Sequence, residues 1–274
     1  VQNDDIMRTG RFTVVKLEKH EMHRIAPLFE GNNETLVWSC LQGCMGHAWA
    51  DNLEEPQCAQ ILIADICFFA GDSRIPEARL LVRNIPDFFK KSCIYVVPEN
   101  VAWGALIEQE YENRFLRFER YAFKKEKDVF DRDKLKAFVQ SLPEEYDLAP
   151  IDERLYELTF AEAWSSDLCP NFQSWEDYQK RGLGFVVLYE GRIVCGASSY
   201  TVYNEGIEIE IDTHEDYRRK GLATACAARL ILECLDRGLY PSWDAANTIS
   251  VALAEKLGYH MDKPYFAYEI DRTK

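Results

Sequence analysis

Between Gly206 and Gly238 the chain encodes one supersecondary unit that restricts its fold more than any other stretch. Ile207, Ile209 and Ile211 alternate with Glu208, Glu210 and Asp212, which predicts a strand with one buried face and one carboxylate-lined face. A basic turn follows, Tyr217-Arg-Arg-Lys-Gly-Leu-Ala-Thr224. Leu222, Cys226, Leu230 and Cys234, joined by Ile231 and Leu235, then fall on one face of a long amphipathic helix that Gly238 ends. The first turn of a helix has unpaired backbone N–H groups, and the helix dipole is positive there. Gly221 lets the backbone come close to a ligand, and Arg218, Arg219 and Lys220 add positive charge. A pyrophosphate is the expected guest.

The elements around this unit are legible too. Glu153 to Trp164 carries Leu155, Leu158, Phe160 and Ala161 at helical spacing, and Ser174 with Asp177 three residues on starts a short second helix. Phe185 to Tyr189 and Ile193 to Val202 form the arms of a hairpin closed by Glu190-Gly191-Arg192. A turn at Asn204-Glu205-Gly206 leads into the alternating strand. A short strand from Tyr240 to Asp244 is expected next, then a helix capped by Asn247, then a last strand near Tyr265 to Ile270.

Arg218-x-x-Gly221-x-Ala223 resembles the main motif of the GNAT acetyltransferases, Arg/Gln-x-x-Gly-x-Gly/Ala. Asn247, Ser250, Leu253, Lys256, Gly258 and Tyr259 resemble that family's closing motif, in the right order and at the right distance. The resemblance covers about residues 144–274. The runs Asp212 to Thr224 and Trp243 to Asn247 look in particular like the subgroup that includes zwittermicin A resistance proteins.

The resemblance implies an α/β (α+β) GNAT fold, with a mixed central sheet in the C-terminal domain, and acetyl-CoA as cofactor. By resemblance, backbone amides of Arg219, Lys220, Gly221, Leu222, Ala223 and Thr224 hold the CoA pyrophosphate. The strand at Ile211, Asp212 and Thr213 pairs with the pantetheine arm, and Asn247 helps to bind it. An amine must lose a proton to attack a thioester, so a base is needed; Glu210 and then Glu208 are the candidates. Many members of the family carry a tyrosine on the last helix that protonates the departing thiolate, and Ala254 stands at that position here. Ser250 is the candidate substitute, with Tyr259 and Tyr217 as other donors. Trp164 and Asp167, near the loop that shapes the acceptor site in the family, are the candidate substrate contacts.

The remaining readings are coarser. The prolines and acids of Ser141 to Pro150 predict a junction near Leu142, giving domains 1–142 and 143–274, the first a smaller α/β domain of unknown role. In it, Ile61 to Ala70 and Ile94 to Val97 read as buried strands, Trp103 to Arg114 as a helix and Phe118 to Phe123 as a strand. With a net charge of −14 the chain repels phosphate backbones, which counts against nucleic-acid binding, and the same field favours amines. No apolar run approaches bilayer length, so no membrane association is expected. The first thirty residues lack the layout of a secretory signal. Nine cysteines at irregular spacing read as reduced thiols in a cytoplasmic protein. Cys40-x3-Cys44-x2-His47 lacks the turn context of a zinc knuckle, and no metal is expected.

The expected function is acetyl transfer to a small primary amine by direct attack on the thioester, with a homodimer as a further expectation. Two alternatives stand beside it. One is an acyl-CoA-binding sensor or interaction protein without turnover. The other makes the first domain a worn duplicate of the same fold that binds a ligand or forms the dimer contact.

Overall fold

The computed structural model describes residues 6–9 and 12–273. The chain divides into two units, residues 1–120 with 265–274, and residues 121–264.

The first unit contains β1 (Ile6–Thr9), β2 (Phe12–Leu17), two 3-10 segments (Lys19–Arg24 and Ala26–Phe29), α1 (Thr35–Leu41), β3 (His47–Ala50), β4 (Cys58–Ile63), β5 (Ile66–Gly71), α2 (Pro76–Arg83), β6 (Cys93–Pro98), α3 (Val101–Glu110) and most of β7 (Phe115–Phe123). Strands β1 to β5 pair antiparallel in sequence order, and β6 joins β5 in parallel, from Ile66↔Tyr95 to Phe69↔Pro98. Asn100 caps α3, its Oδ1 accepting from the amides of Ala102 at 3.0 Å and Trp103 at 3.2 Å. Trp103 is wholly buried, stacked on Phe69 at 5.2 Å, and its Nε1–H donates to the Gly71 carbonyl at 2.9 Å.

The second unit continues with α4 (Arg132–Gln140), β8 (Asp147–Pro150), α5 (Glu153–Thr159), α6 (Trp175–Arg181), β9 (Gly184–Tyr189), β10 (Arg192–Tyr203), β11 (Gly206–Thr213), α7 (Leu222–Asp236), β12 (Tyr240–Ser242), β13 (Asp244–Ala245), α8 (Thr248–Leu257) and β14 (Met261–Asp271), whose last residues belong to the first unit. Its sheet has the order β12-β11-β10-β9-β8, antiparallel except for the parallel pair β11·β12. This is the mixed α/β architecture expected from the sequence. Leu222, Cys226, Leu230, Ile231 and Cys234 of α7 are all at most 1% exposed, so the predicted apolar face is the buried one.

Leaving aside β1 in the first unit and α4, the 3-10 turn after β11 and β13 in the second, the two units share one order: strand, helical segments, three antiparallel strands, helix, strand, helix, strand. Their closing strands are exchanged. The end of β14 pairs with β6 in the first unit (Tyr268↔Val96 to Asp271↔Cys93), and the end of β7 pairs with β13 in the second (Asp244↔Ala122, Ala245↔Tyr121).

Several expectations are corrected. The run Ile61 to Ala70 is two strands, because Ala64 turns the chain with φ 54° and Cys58–Ile63 pairs back on Ile66–Gly71. The helix from Glu153 stops at Thr159, where the Thr159 hydroxyl donates to the Tyr156 carbonyl. The units divide at Arg120/Tyr121 and Pro264/Tyr265, not at Leu142. Helix α4, read as the end of the first domain, belongs to the second unit, where Leu135 is wholly buried and Arg132 pairs with Asp236. Finally, Tyr240 to Asp244 is not one strand. It breaks at Trp243, and β13 pairs with a different neighbour from β12.

Candidate functional site

The site grows from β11 and the two helices that follow it. At the start of the strand, a Cβ on Gly206 would overlap the Tyr240 carbonyl, so only glycine allows β11 and β12 to approach here. Their ladder is short. It runs from Gly206↔Tyr240 to Glu208↔Ser242, and β11 continues alone on that side to Thr213. After Ser242 the chain turns away into β13 and α8, so the two parallel strands part at Glu208.

The turn after β11 is tightly built. His214 caps a 3-10 turn over Glu215–Tyr217, its Nδ1 accepting from the Asp216 amide at 3.3 Å. That bond leaves the ring proton of neutral His214 on Nε2. Arg218 Nε donates back to the Thr213 carbonyl at 3.2 Å. Arg219 and Gly221 are both left-handed, with φ 62° and 80°. Helix α7 then begins with Gly221 as N-cap and no side-chain capping bond. A Cβ on Gly221 would meet nothing within 4 Å, so the approach to the first turn is open. Lys220 lies 4.8 Å above the Tyr217 ring, and Lys256 of α8 donates to Thr224 Oγ1 at 3.4 Å, bringing a second ammonium to the same helix end. An anionic, phosphate-bearing ligand fits an uncapped, open and basic helix N-terminus of this kind.

The three carboxylates of β11 differ in setting. Glu208 is only 5% exposed, so at this level the carboxylate-lined face of the strand is buried as well as the isoleucine face, where Ile207 is 1% and Ile209 9% exposed. Burial first, with the nearby Glu208 carboxylate adding to it, pushes Tyr240 up to about 12 and Tyr203 upward, so both hydroxyls keep their protons more firmly. Glu210 and Asp212 are half-buried. Burial raises the Asp212 carboxyl above its ordinary range and the charge of Asp167 adds to the rise, against the Thr213 amide, at 3.1 Å, and Arg218.

Both candidate substrate contacts lie at this end of β11. Trp164 packs edge-on against His214 at 5.7 Å, and its Nε1–H donates to Glu162 Oε2 at 3.1 Å. Asp167 lies close enough to Asp212 to act on its ionisation.

On the other side of the split, the Asn247 side chain caps α8, accepting from the Ser250 amide at 3.0 Å. Trp243, the first residue beyond the β11·β12 ladder, donates its indole N–H to Ser250 Oγ at 3.1 Å. Ala254 is wholly buried. Tyr259, one of the other donors considered, is also buried, and its hydroxyl donates to the Pro241 carbonyl at 2.7 Å, so it braces the core instead. Tyr217 sits half-buried among Tyr146, Tyr189 and His214. The sequence reading missed the Trp243–Ser250 brace and the Lys256–Thr224 contact. No signal in the sequence pointed to the first, since Trp243 falls inside the strand expected from Tyr240 to Asp244.

A model of the family described as GNAT acetyltransferase matches residues 26–268, well beyond the stretch in which the resemblance was read. An uncharacterized N-acetyltransferase of Bacillus subtilis (strain 168), YdfB, is 27% identical over 241 residues, covering 85% of this chain and 89% of that protein. The crystal structure of a GCN5-related N-acetyltransferase-like protein from Streptococcus suis 89/1591 is 47% identical and covers 92% of this chain and 98% of its own, with a TM-score of 0.83. A tandem GNAT protein from the clavulanic acid biosynthesis pathway shares the fold at 12% identity, with a TM-score of 0.57 over 94% of this chain and 98% of that one.

Proposed function

The chain belongs to the GNAT acetyltransferase family, and on that premise we propose that it acetylates the primary amine of a small polar molecule from acetyl-CoA, by direct attack of the amine. One observation carries this reading: β11 outruns its parallel partner after Glu208, and the strand then leads into a helix that opens, uncapped, at Gly221. In this reading the extended arm lies along Ile209 to Thr213, on the unpaired side of β11, and the amides of Arg219 to Thr224 hold the anionic end group. Bound acetyl-CoA supplies an acetyl group activated as a thioester.

The protein's own residues do the rest. The amides of the first turn of α7, with Arg218, Lys220 and Lys256 nearby, bind and orient the pyrophosphate. The backbone of Ile211, Asp212 and Thr213 aligns the arm and polarises the thioester carbonyl. Glu210 accepts the proton of the attacking amine, and Glu208, buried beside Tyr203 and Tyr240, is the second candidate. Ser250 donates toward the departing sulfur. Because the Trp243 indole occupies the Ser250 oxygen as an acceptor, the hydroxyl hydrogen is free to point elsewhere. Asp167, Asp212 and Trp164 bind the cationic acceptor, in keeping with the net charge of −14. The likeness of the Asp212 to Thr224 and Trp243 to Asn247 runs to zwittermicin A resistance proteins supports a polar, antibiotic-like amine. The nine free cysteines support a cytoplasmic setting. Among the described residues, no helix is long and apolar enough to cross a membrane.

The shared element order supports reading the first unit as a duplicate of the same fold, and the likeness to a tandem protein is in keeping with it. In that unit the parallel pair β5·β6 is laddered from Ile66 to Phe69, leaving two residues of β5 beyond it, and the Trp103 indole donates to the Gly71 carbonyl there.

Buried Ala254 favours one rival, a binder of acyl-CoA that does not turn over. A panel of amines assayed by thiol release separates the two. Amine-dependent release that falls in Glu210→Gln supports transfer; binding of acetyl-CoA with release that no amine accelerates supports the rival.

A further inference from the structure

The far half of α7 borders a separate cleft. It lies wholly within the second unit and has a volume of about 640 Å³, within the usual size range of small-molecule sites. One wall is apolar, formed by Leu148 and Pro150 of β8 with Ile151 and Trp175. The other wall carries Arg229, Glu233 and Arg237, one helical turn apart on α7 and its C-cap.

These three charges are unequal. The Arg229 guanidinium lies 4.4 Å above the Phe185 ring, and its Nη2 donates to Glu233 Oε2 at 2.7 Å. Arg237 Nε donates to the other oxygen, Oε1, at 3.0 Å. Both carboxylate oxygens are therefore engaged, two guanidinium groups share one carboxylate, and a positive charge is left over in a chain of net charge −14. Among the described residues, Arg229 Nε and Nη1 have no protein acceptor. The apolar wall offers little hydrogen bonding of its own, since the Tyr178 hydroxyl is engaged with Ser198 Oγ at 2.9 Å. An aromatic-backed guanidinium with spare donors facing an apolar wall matches an organic anion with a hydrophobic body. Along α7, Arg229 and Arg237 lie about 10 and about 22 Å from the helix start, so this is not the anion site at Gly221.

We propose that this cleft binds a small organic carboxylate of phenylacetate size, with the carboxylate on the free edge of Arg229 and the apolar body against Trp175 and Leu148. The full chain is titrated with phenylacetate and with uncharged phenylacetamide, followed by calorimetry and by tryptophan fluorescence. The parent binds phenylacetate with a Kd on the order of 1 mM or below. Phenylacetamide binds at least tenfold more weakly, as does phenylacetate to Arg229→Gln. Val139→Trp, which fills the cleft mouth from α4, abolishes binding. Unchanged thermal melting of both variants shows that they are folded. Parent protein silent to 10 mM phenylacetate, equal affinity for the amide, or unchanged affinity in Arg229→Gln would each overturn the proposal.

Discussion

The Trp243 indole N–H donates to Ser250 Oγ at 3.1 Å, joining the residue where the chain leaves the β11·β12 ladder to the first turn of α8. The brace holds a hydroxyl beside the strand split, on the helix where buried Ala254 offers no proton. If Ser250 is the donor to the leaving sulfur, Ser250→Ala lowers kcat about tenfold, equivalent to ~1.4 kcal/mol of barrier. Trp243→Phe, which removes only the N–H, lowers kcat by a smaller factor and leaves the KM for acetyl-CoA unchanged. The double variant is no slower than Ser250→Ala alone, because both changes act on one hydroxyl. Steady-state kinetics on the four proteins is the check; additive losses would contradict the shared role.

Glu210→Gln is expected to lower kcat by about 10²- to 10⁴-fold, the usual contribution of a general base. The acidic limb of the pH–rate profile, where the base is protonated in the parent, should flatten with it. A profile of unchanged shape would transfer the role to Glu208 or to water.

Tyr259 separates a structural hydroxyl from a catalytic one. Its O–H is fully buried and satisfies the Pro241 carbonyl at 2.7 Å. Tyr259→Phe should cost about 1–3 kcal/mol in urea unfolding, by stranding that carbonyl, while kcat per folded molecule stays at the parent value. A large loss of kcat at unchanged stability would restore Tyr259 as a proton donor.

Asp212 is held above its ordinary pKa by burial, with Asp167 adding to the effect. A carboxyl with a raised folded-state pKa binds its proton more tightly when folded, so stability falls as pH rises through the unfolded and then the folded value. Asp212→Asn should therefore melt higher than the parent at pH 7 and lose that advantage near pH 3. Equal melting of the two proteins at pH 7 would show that Asp212 carries no burial penalty.

Local chemistry made much of this molecule legible. Ser174 caps α6 through the Asp177 amide, Asn247 caps α8 through the Ser250 amide, and the four-residue repeat of α7 became its buried face. What stayed hidden depended on partners distant in sequence or on turns without glycine. Ala64 takes a left-handed turn that its sequence does not advertise, so two apolar strands read as one. Alternation along β11 gave the side on which Glu208 lies but not what covers it, and its burial comes from tertiary packing. Trp243 breaks a strand because its successor pairs with Ala122, over a hundred residues upstream. The charged surface of α4 masked Leu135, whose burial ties that helix to the second unit.

The first unit bears on stoichiometry. Its parallel pair runs from Ile66 to Phe69 and leaves two residues of β5 beyond it, where the Trp103 indole donates to the Gly71 carbonyl. By contrast, β11 runs five residues beyond Glu208; we read the first pair as closed. One acetyl-CoA per chain is expected, and two equivalent sites would contradict the closed reading of β5·β6.

The most direct test of the cofactor site is calorimetry of acetyl-CoA binding to the parent and to Gly221→Asp. The substitution places a carboxylate at the open, left-handed entrance to α7. Binding at one site in the parent, weakened at least a hundredfold in the variant, is the expected result. A parent that does not bind acetyl-CoA, or a variant that binds it as tightly, would contradict the assignment of the cofactor to this helix end.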